Sequence, residues 1–193
     1  AYAGRGEREL FLMEYRGVQH AKLAPPAGPL NDRVAVVTGA AGAIGTGVAM
    51  GLLEAGCHVV VTDLPGAALE SLAAELDAAC PGRAVGVPMD VTDAASVADA
   101  FRFAARTWGG IDLAVVNAGI AHVAGLTVMD VEAFRKLERV NIEGTLLVLA
   151  ETARLLRRQG TGGDVVLVST KNVFAPGARF GAYSATKAAA HQL

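Results

Sequence analysis

Apolar and polar positions fall into alternating blocks along this chain. From Arg33 onward, short Val-rich runs such as Val34-Ala-Val-Val37 and Val59-Val-Val61 are separated by longer segments. In those segments the apolar residues recur every three or four positions. The runs predict strands over 33–38, 58–62, 84–89, 111–116 and 164–170; the segments predict helices near 44–55, 67–79, 94–107, 129–158 and 182–193. Leu69, Leu72 and Leu76 share one face of the second helix, a core stripe, and Asp93 is placed to cap the third. Alternating strands and helices, with strands apolar almost throughout, predict an α/β fold whose parallel sheet is covered on both faces. Right-handed crossovers then give a doubly wound sheet of order 3-2-1-4-5, with a ligand crevice at the carboxyl ends of the strands. Ahead of the first strand, residues 5–22 carry Leu10, Met13 and Val18 among charges, a short amphipathic helix or arm. Ala24-Pro-Pro-Ala-Gly-Pro29 breaks any helix and reads as a linker. The expected division is an arm and Pro-rich linker over 1–30 and one doubly wound α/β domain over 31–193.

Composition narrows the possible partners. With 52% hydrophobic residues, 19% charged and a net charge of −2, the chain has the means to bury a core and lacks a basic patch for nucleic acid. No stretch of ~20 apolar residues is available to span a membrane. Cys57 and Cys80 form neither a disulfide framework nor a ligand cluster, and the four His are scattered. The two cysteines read as buried small hydrophobes in a reducing, cytoplasmic setting, and no metal site is expected.

Chemistry enters with Tyr183-Ser-Ala-Thr-Lys187, thirteen residues after Thr170. Four residues apart, the phenol and the ammonium share one helix face, and the cation favours phenolate, readying Tyr183 for proton exchange. Far upstream, a β-branched run ends in Thr38-Gly39 and passes through Gly42, Ala43, Ile44 and Gly45 into a helix. Small residues at such a turn let backbone approach a pyrophosphate, whose charge suits a helix N-terminus. The spacing is not G-x-G-x-x-G, so a tightly packed turn is the plainer alternative. Asp63 ends the next strand 24 residues after Gly39, a separation at which an acid can bond both ribose hydroxyls and repel a 2′-phosphate. Leu64 and Pro65 follow, with no cation for that phosphate, so NAD is expected over NADP. The plainer alternative is that Asp63 starts a turn or caps the helix near Ala67.

Together these elements resemble the short-chain dehydrogenase/reductase family. They run in that family's order over residues 32–193: Thr38-Gly39…Gly45, Asp63, Asp90-Val91, Asn117-Ala118-Gly119, Asn141, and Thr170…Tyr183…Lys187. The resemblance implies a Rossmann-like fold and a metal-free, NAD-dependent oxidoreductase interconverting a small alcohol and a carbonyl. It implies that Asp90 and Val91 hold the adenine and that Asn117, Ala118 and Gly119 lie beside the ribose. It further implies that Asn141 completes a proton relay to Lys187, that Thr170 donates to the substrate oxygen, and that Tyr183 and Lys187 also touch the cofactor. Read on spacing alone, Asp90 could cap a helix, 117–119 could be an ordinary turn, and Asn141 could be a satisfied core residue.

Within the family, Ser169-Thr-Lys-Asn-Val-Phe-Ala-Pro-Gly177 and the leader Glu14-Tyr15…Gln19-His-Ala-Lys22 resemble bifunctional rhamnulose-1-phosphate aldolase/alcohol dehydrogenase proteins. That implies lactaldehyde or a sugar-derived polyol as substrate, an aldolase domain upstream, and a chain truncated at its C-terminus. A homo-oligomer is implied when the chain is complete. The alternatives are a nucleotide-sugar epimerase or dehydratase and a non-catalytic dinucleotide-binding module. Three positions depart from the family's pattern. Ala43 replaces its second glycine, Val116 replaces the first Asn of N-N-A-G, and Thr170 stands where Ser is usual. Because strand side chains alternate, Thr170 is expected to face the crevice and Ser169 to turn away.

Overall fold

A computed structural model of the protein describes residues 28–193. The arm expected over 5–22 and most of the linker lie outside the described residues. Five strands form one parallel sheet: β1 (Val34–Thr38), β2 (His58–Asp63), β3 (Ala84–Pro88), β4 (Leu113–Val116) and β5 (Asp164–Leu167). Their order is 3-2-1-4-5, as expected. The helices between them are α1 (Ala43–Glu54), α2 (Ala67–Ala79), α3 (Ala94–Trp108), α4 (Val131–Glu138) and α5 (Gly144–Gln159), with α6 (Gly181–His191) after the last strand.

Alternation along the central strand supplies two cores. Ala35 and Val37 of β1, with Val59 and Val61 of β2, pack beneath Leu53 of α1 and the expected stripe Leu69, Leu72, Leu76 of α2. Val34, Val36 and Val60 point the other way, onto Val97 and Phe101 of α3 and Val148 of α5. Each fully buried side chain of this size contributes roughly 1.5–3 kcal/mol relative to exposure. Cys57 is fully buried in the first core, where burial, then Asp112, push its thiol pKa up, so it stays a packed thiol. Asp93 caps α3, its carboxylate accepting from the Ala95 N–H at 2.9 Å.

Three expectations need correcting. The fifth strand does not run to 170; it ends at Leu167 because its partner β4 stops at Val116, and Val168 N–H bonding to Val116 O at 3.0 Å is the last rung. The sheet is not covered everywhere, since Val165 and Val166 on β5 are 43% and 49% exposed. Among the described residues β5 has a strand neighbour on one side alone. The helix expected over 129–158 begins at Val131 and contains a π turn, Arg139–Glu143, between α4 and α5. That turn centres on Asn141, and such insertions in an α-helix are frequent at functional sites.

Candidate active site

Above the carboxyl ends of the strands lies a cleft of about 570 Å³. Gly39, Gly42, Ala43, Ile44 and Gly45 form one wall. Here the chain turns from β1 into α1, and only glycine fits at two positions. Gly39 has φ +61°, and a Cβ on it would stand 2.7 Å from Ala118 Cα. A Cβ on Gly45 would meet Gly39 O at 2.3 Å. Missing side chains thus leave a cradle open to backbone at the N-terminus of α1, whose dipole and free N–H groups suit an anion. Ala43 is exposed at the first helical position, so its methyl reaches into this space without crowding the protein.

Asp63 lines the same cleft. One carboxylate oxygen accepts from Ala41 N–H at 2.9 Å and the other from Leu64 N–H at 2.8 Å. Asp63 is therefore tied to the glycine turn, while α2 is capped by Gly66, not by this acid. Asp90 and Val91 line the next stretch. Asp90 Oδ1 accepts from both the N–H and the hydroxyl of Thr92 at 2.8 Å, which sets the carboxylate at the rim and leaves capping of α3 to Asp93.

Asn117, Ala118 and Gly119 follow β4 into the cleft. Their turn is held from below by Thr38, which is fully buried and does not line the cleft. Thr38 Oγ1 accepts from the N–H groups of Asn117 and Ala118 at 3.0 Å each, and Asn117 Nδ2 donates to the carbonyls of Thr38 and Gly39 at 2.9 Å. Thr38 is thus a support for the site and not a wall of it.

Tyr183 and Lys187 enter from α6. Lys187 is 7% exposed and its Nζ donates to Val168 O at 2.8 Å, while burial draws its pKa down from the usual lysine value. The Phe180 ring stands edge-on to Tyr183, centroids 6.0 Å apart. A Cβ on Gly119 would lie 3.2 Å from Asn141 Oδ1 and 3.9 Å from Lys187 Nζ, so Gly119 and Lys187 of the cleft lining meet the buried Asn141. Asn141 itself is 1% exposed, and both ends of its amide are hydrogen-bonded. Oδ1 accepts from Ile120 N–H at 2.9 Å, and Nδ2 donates to Ile120 O at 2.9 Å and Thr186 Oγ1 at 3.0 Å.

The expectation about the two hydroxyls fails in part. Ser169 is exposed and lines the cleft, whereas Thr170 is half-buried and does not. With β5 ending at Leu167, the alternation argument cannot be carried across 168–170. Thr170 remains extended (φ −147°, ψ 152°) and its Oγ1 accepts from Asn172 N–H at 3.3 Å.

A profile of the short chain dehydrogenase family matches residues 33–193. The chain belongs to this family. It is 36% identical over 185 residues to the uncharacterised oxidoreductase YuxG of Bacillus subtilis, covering 94% of this chain and 27% of that protein. It is 32% identical over 168 residues to L-rhamnose 1-dehydrogenase (NAD(P)(+)) of a Sphingomonas species, covering 85% of this chain and 65% of that one. The fold superposes on a short-chain dehydrogenase/reductase from Mycobacterium marinum with TM-score 0.78 and 32% identity, over 83% of this chain and 65% of the other. The chain thus spans between about a quarter and two thirds of the length of these relatives.

Against the family's usual pattern, Val116 is not a defect. It is 2% exposed in the second core, and the turn that follows it draws its bonds from Thr38 and Asn117 instead. The cleft also takes in residues that sequence motifs missed: Leu64, Met89, Ile120, Lys136, Val140 and Val168. Leu64, Met89 and Val168 sit at strand ends beside recognised residues, a usable signal. Lys136 and Val140 are four apart on one helical segment, indistinguishable in sequence from an ordinary helix face. Among the described residues no group of three or more His, Cys, Asp or Glu could hold a metal, and no helix is long and apolar enough to cross a membrane.

Proposed function

We propose that this chain carries the catalytic centre of an NAD-dependent oxidoreductase that interconverts a small alcohol and its carbonyl. The observation that carries the reading is the convergence in one cleft of a glycine cradle, a rim carboxylate and a Tyr-Lys pair. A dinucleotide fits the residues present: phosphates at Gly39–Gly45, ribose hydroxyls at Asp63, adenine by Asp90 and Val91, and the second ribose by Asn117–Gly119 with Tyr183 and Lys187. Bound NAD would supply the hydride acceptor or donor. Asp63, with no cation at Leu64 beside it, supports NAD over NADP through repulsion of a 2′-phosphate.

Proton transfer falls to the protein. Tyr183 takes the hydroxyl proton from an alcohol, or returns one to a carbonyl oxygen. The Lys187 ammonium, held in place by Val168 O at 2.8 Å, lies one helical turn from Tyr183 and reaches toward the cofactor's ribose. The Thr170 hydroxyl, next to the cleft-lining Ser169 and with no acceptor among the described residues, donates to the substrate oxygen as charge grows there. Both ends of Asn141's side-chain amide already hold protein partners, so its part in a relay runs through its backbone carbonyl, which also accepts from the Thr145 hydroxyl at 2.7 Å. Similarity to a rhamnose dehydrogenase supports a sugar, a sugar-derived polyol or a small hydroxy-aldehyde such as lactaldehyde as substrate. The match to YuxG, a protein several times longer than this chain, supports a longer parent protein; the aldolase-linked reading rests on residues 14–22 and 169–177 alone.

The test is turnover of NAD or NADP by the full-length gene product on a panel of polyols, sugars and hydroxy-aldehydes, followed by nicotinamide absorbance. Tyr183→Phe should lower kcat by ~10²-fold or more while cofactor binding survives. Near-parental turnover in that variant would assign the proton to another group. Tight NAD binding with no turnover on any substrate would favour the non-catalytic module.

A further inference from the structure

The segment 169–177, unusual in sequence, contains one side chain that links the two ends of the catalytic machinery. We propose that Asn172 is a positioning residue, which sets the Thr170 hydroxyl in register with the helix that carries Tyr183 and leaves its proton free for the substrate oxygen. The inference rests on the reading of Thr170 as that donor.

Asn172 is 7% exposed although Phe174, two residues on, is 79% exposed. Its backbone N–H donates to Thr170 Oγ1 at 3.3 Å. Its side-chain Oδ1 accepts from Gly177 N–H, also at 3.3 Å. Gly177 O accepts from Phe180 N–H at 3.1 Å, and Phe180 O accepts from the N–H and hydroxyl of Ser184 at 2.8 and 2.7 Å. An unbroken series of bonds therefore runs from the Thr170 hydroxyl through Asn172 into the first turn of α6, where Tyr183 lies against Phe180. The amide of residue 172 is the only side chain spanning the loop in that series.

The consequence for Thr170 is directional. A hydroxyl has one proton and two lone pairs, and here an N–H already takes a lone pair. Among the described residues the Thr170 hydroxyl donates to nothing, so its proton remains for a ligand. The rotation of that hydroxyl depends on the Asn172 N–H staying in place; the turn Lys171–Val173 holds that backbone locally, and the Asn172 side chain ties the turn to Gly177 and so to α6. At 3.3 Å each bond is long, so losing the side-chain tie should loosen the loop without unfolding it. A small misplacement of a group that contacts the transition state is costly in rate.

The experiment measures kcat, KM and NADH affinity for the full-length gene product carrying Asn172→Ala, Asn172→Asp, Thr170→Val, and Asn172→Ala with Thr170→Val. Asn172→Ala should lower kcat about ten-fold, with KM and NADH affinity within about two-fold of the parent. Asn172→Asp keeps an acceptor for Gly177 N–H and should recover most of the loss. In the Thr170→Val background, Asn172→Ala should cost nothing further, because the hydroxyl it positions is gone. An equal loss in both backgrounds, or no loss in either, overturns the proposal. If Asn172→Ala misfolds by thermal unfolding, Asn172→Ser, too short to reach Gly177, carries the same comparison. Absence of turnover in the unsubstituted protein would remove the underlying reading first, and this inference with it.

Discussion

Replacing Asn141 should destabilise the protein as much as it disables the site. Its amide clasps both backbone groups of Ile120 and ties them to Thr186 on α6, three bonds at 2.9–3.0 Å from a side chain 1% exposed. Asn141→Leu fills a similar volume but deletes all three. Thr186 keeps its own bond to Tyr183 O at 2.8 Å, so the cost falls mainly on Ile120 N–H and C=O. A net hydrogen bond contributes about 1 kcal/mol, and a buried group left unpaired costs about 1–3 kcal/mol. Ile120 is half-buried, and water can relieve part of that, which places the loss at ~2–4 kcal/mol. For a domain of this size that corresponds to a fall in Tm of roughly 4–16 °C. Urea and thermal unfolding of the parent and Asn141→Leu, followed by circular dichroism, measure it. A loss below about 0.5 kcal/mol, the range of an ordinary surface change, would refute the claim that Asn141 ties the 117–120 turn to α6.

Three further outcomes are expected. The full-length protein should bind NAD more tightly than NADP, and Asp63→Ala combined with Leu64→Arg should narrow or invert the preference; equal affinities in the parent would sink the reading of Asp63. Thr170→Val should cost about 2–4 kcal/mol of transition-state stabilisation, mostly in kcat. Thr170→Ser should stay active and Ser169→Ala should be mild; a severe Ser169→Ala beside a harmless Thr170→Val would move the donor to the residue that lines the cleft. For Lys187, burial holds the folded-state pKa below the ordinary 10.5, so the folded state releases the proton first. Stability should therefore rise with pH from the lowered value up to about 10.5, where the unfolded chain also deprotonates, and Lys187→Met should lack that rise. Parallel stability-against-pH curves for the two proteins would contradict it.

Local pattern determined much of this protein. Val-rich runs and three-to-four spacing are properties of neighbouring residues, so strand and helix identity, the parallel sheet and its order followed from them and from crossover handedness. Residues at strand ends were also legible, because a doubly wound sheet gathers them at one edge whatever the loops do; Gly39, Asp63, Asp90 and Asn117 all line the cleft. What the tertiary structure decided depended on partners distant in the chain. β5 ends at Leu167 because β4 turns away at Asn117, an event 50 residues upstream, and this alone undid the assignment of faces at Ser169 and Thr170. Val116 could replace an Asn because Thr38, buried on another strand, supplies the turn's bonds. Asn141 became a clasp because a π turn brings it against Ile120 and Thr186. Lys136 and Val140 joined the cleft because their helical segment packs beside it, a packing that no spacing on the segment itself could reveal.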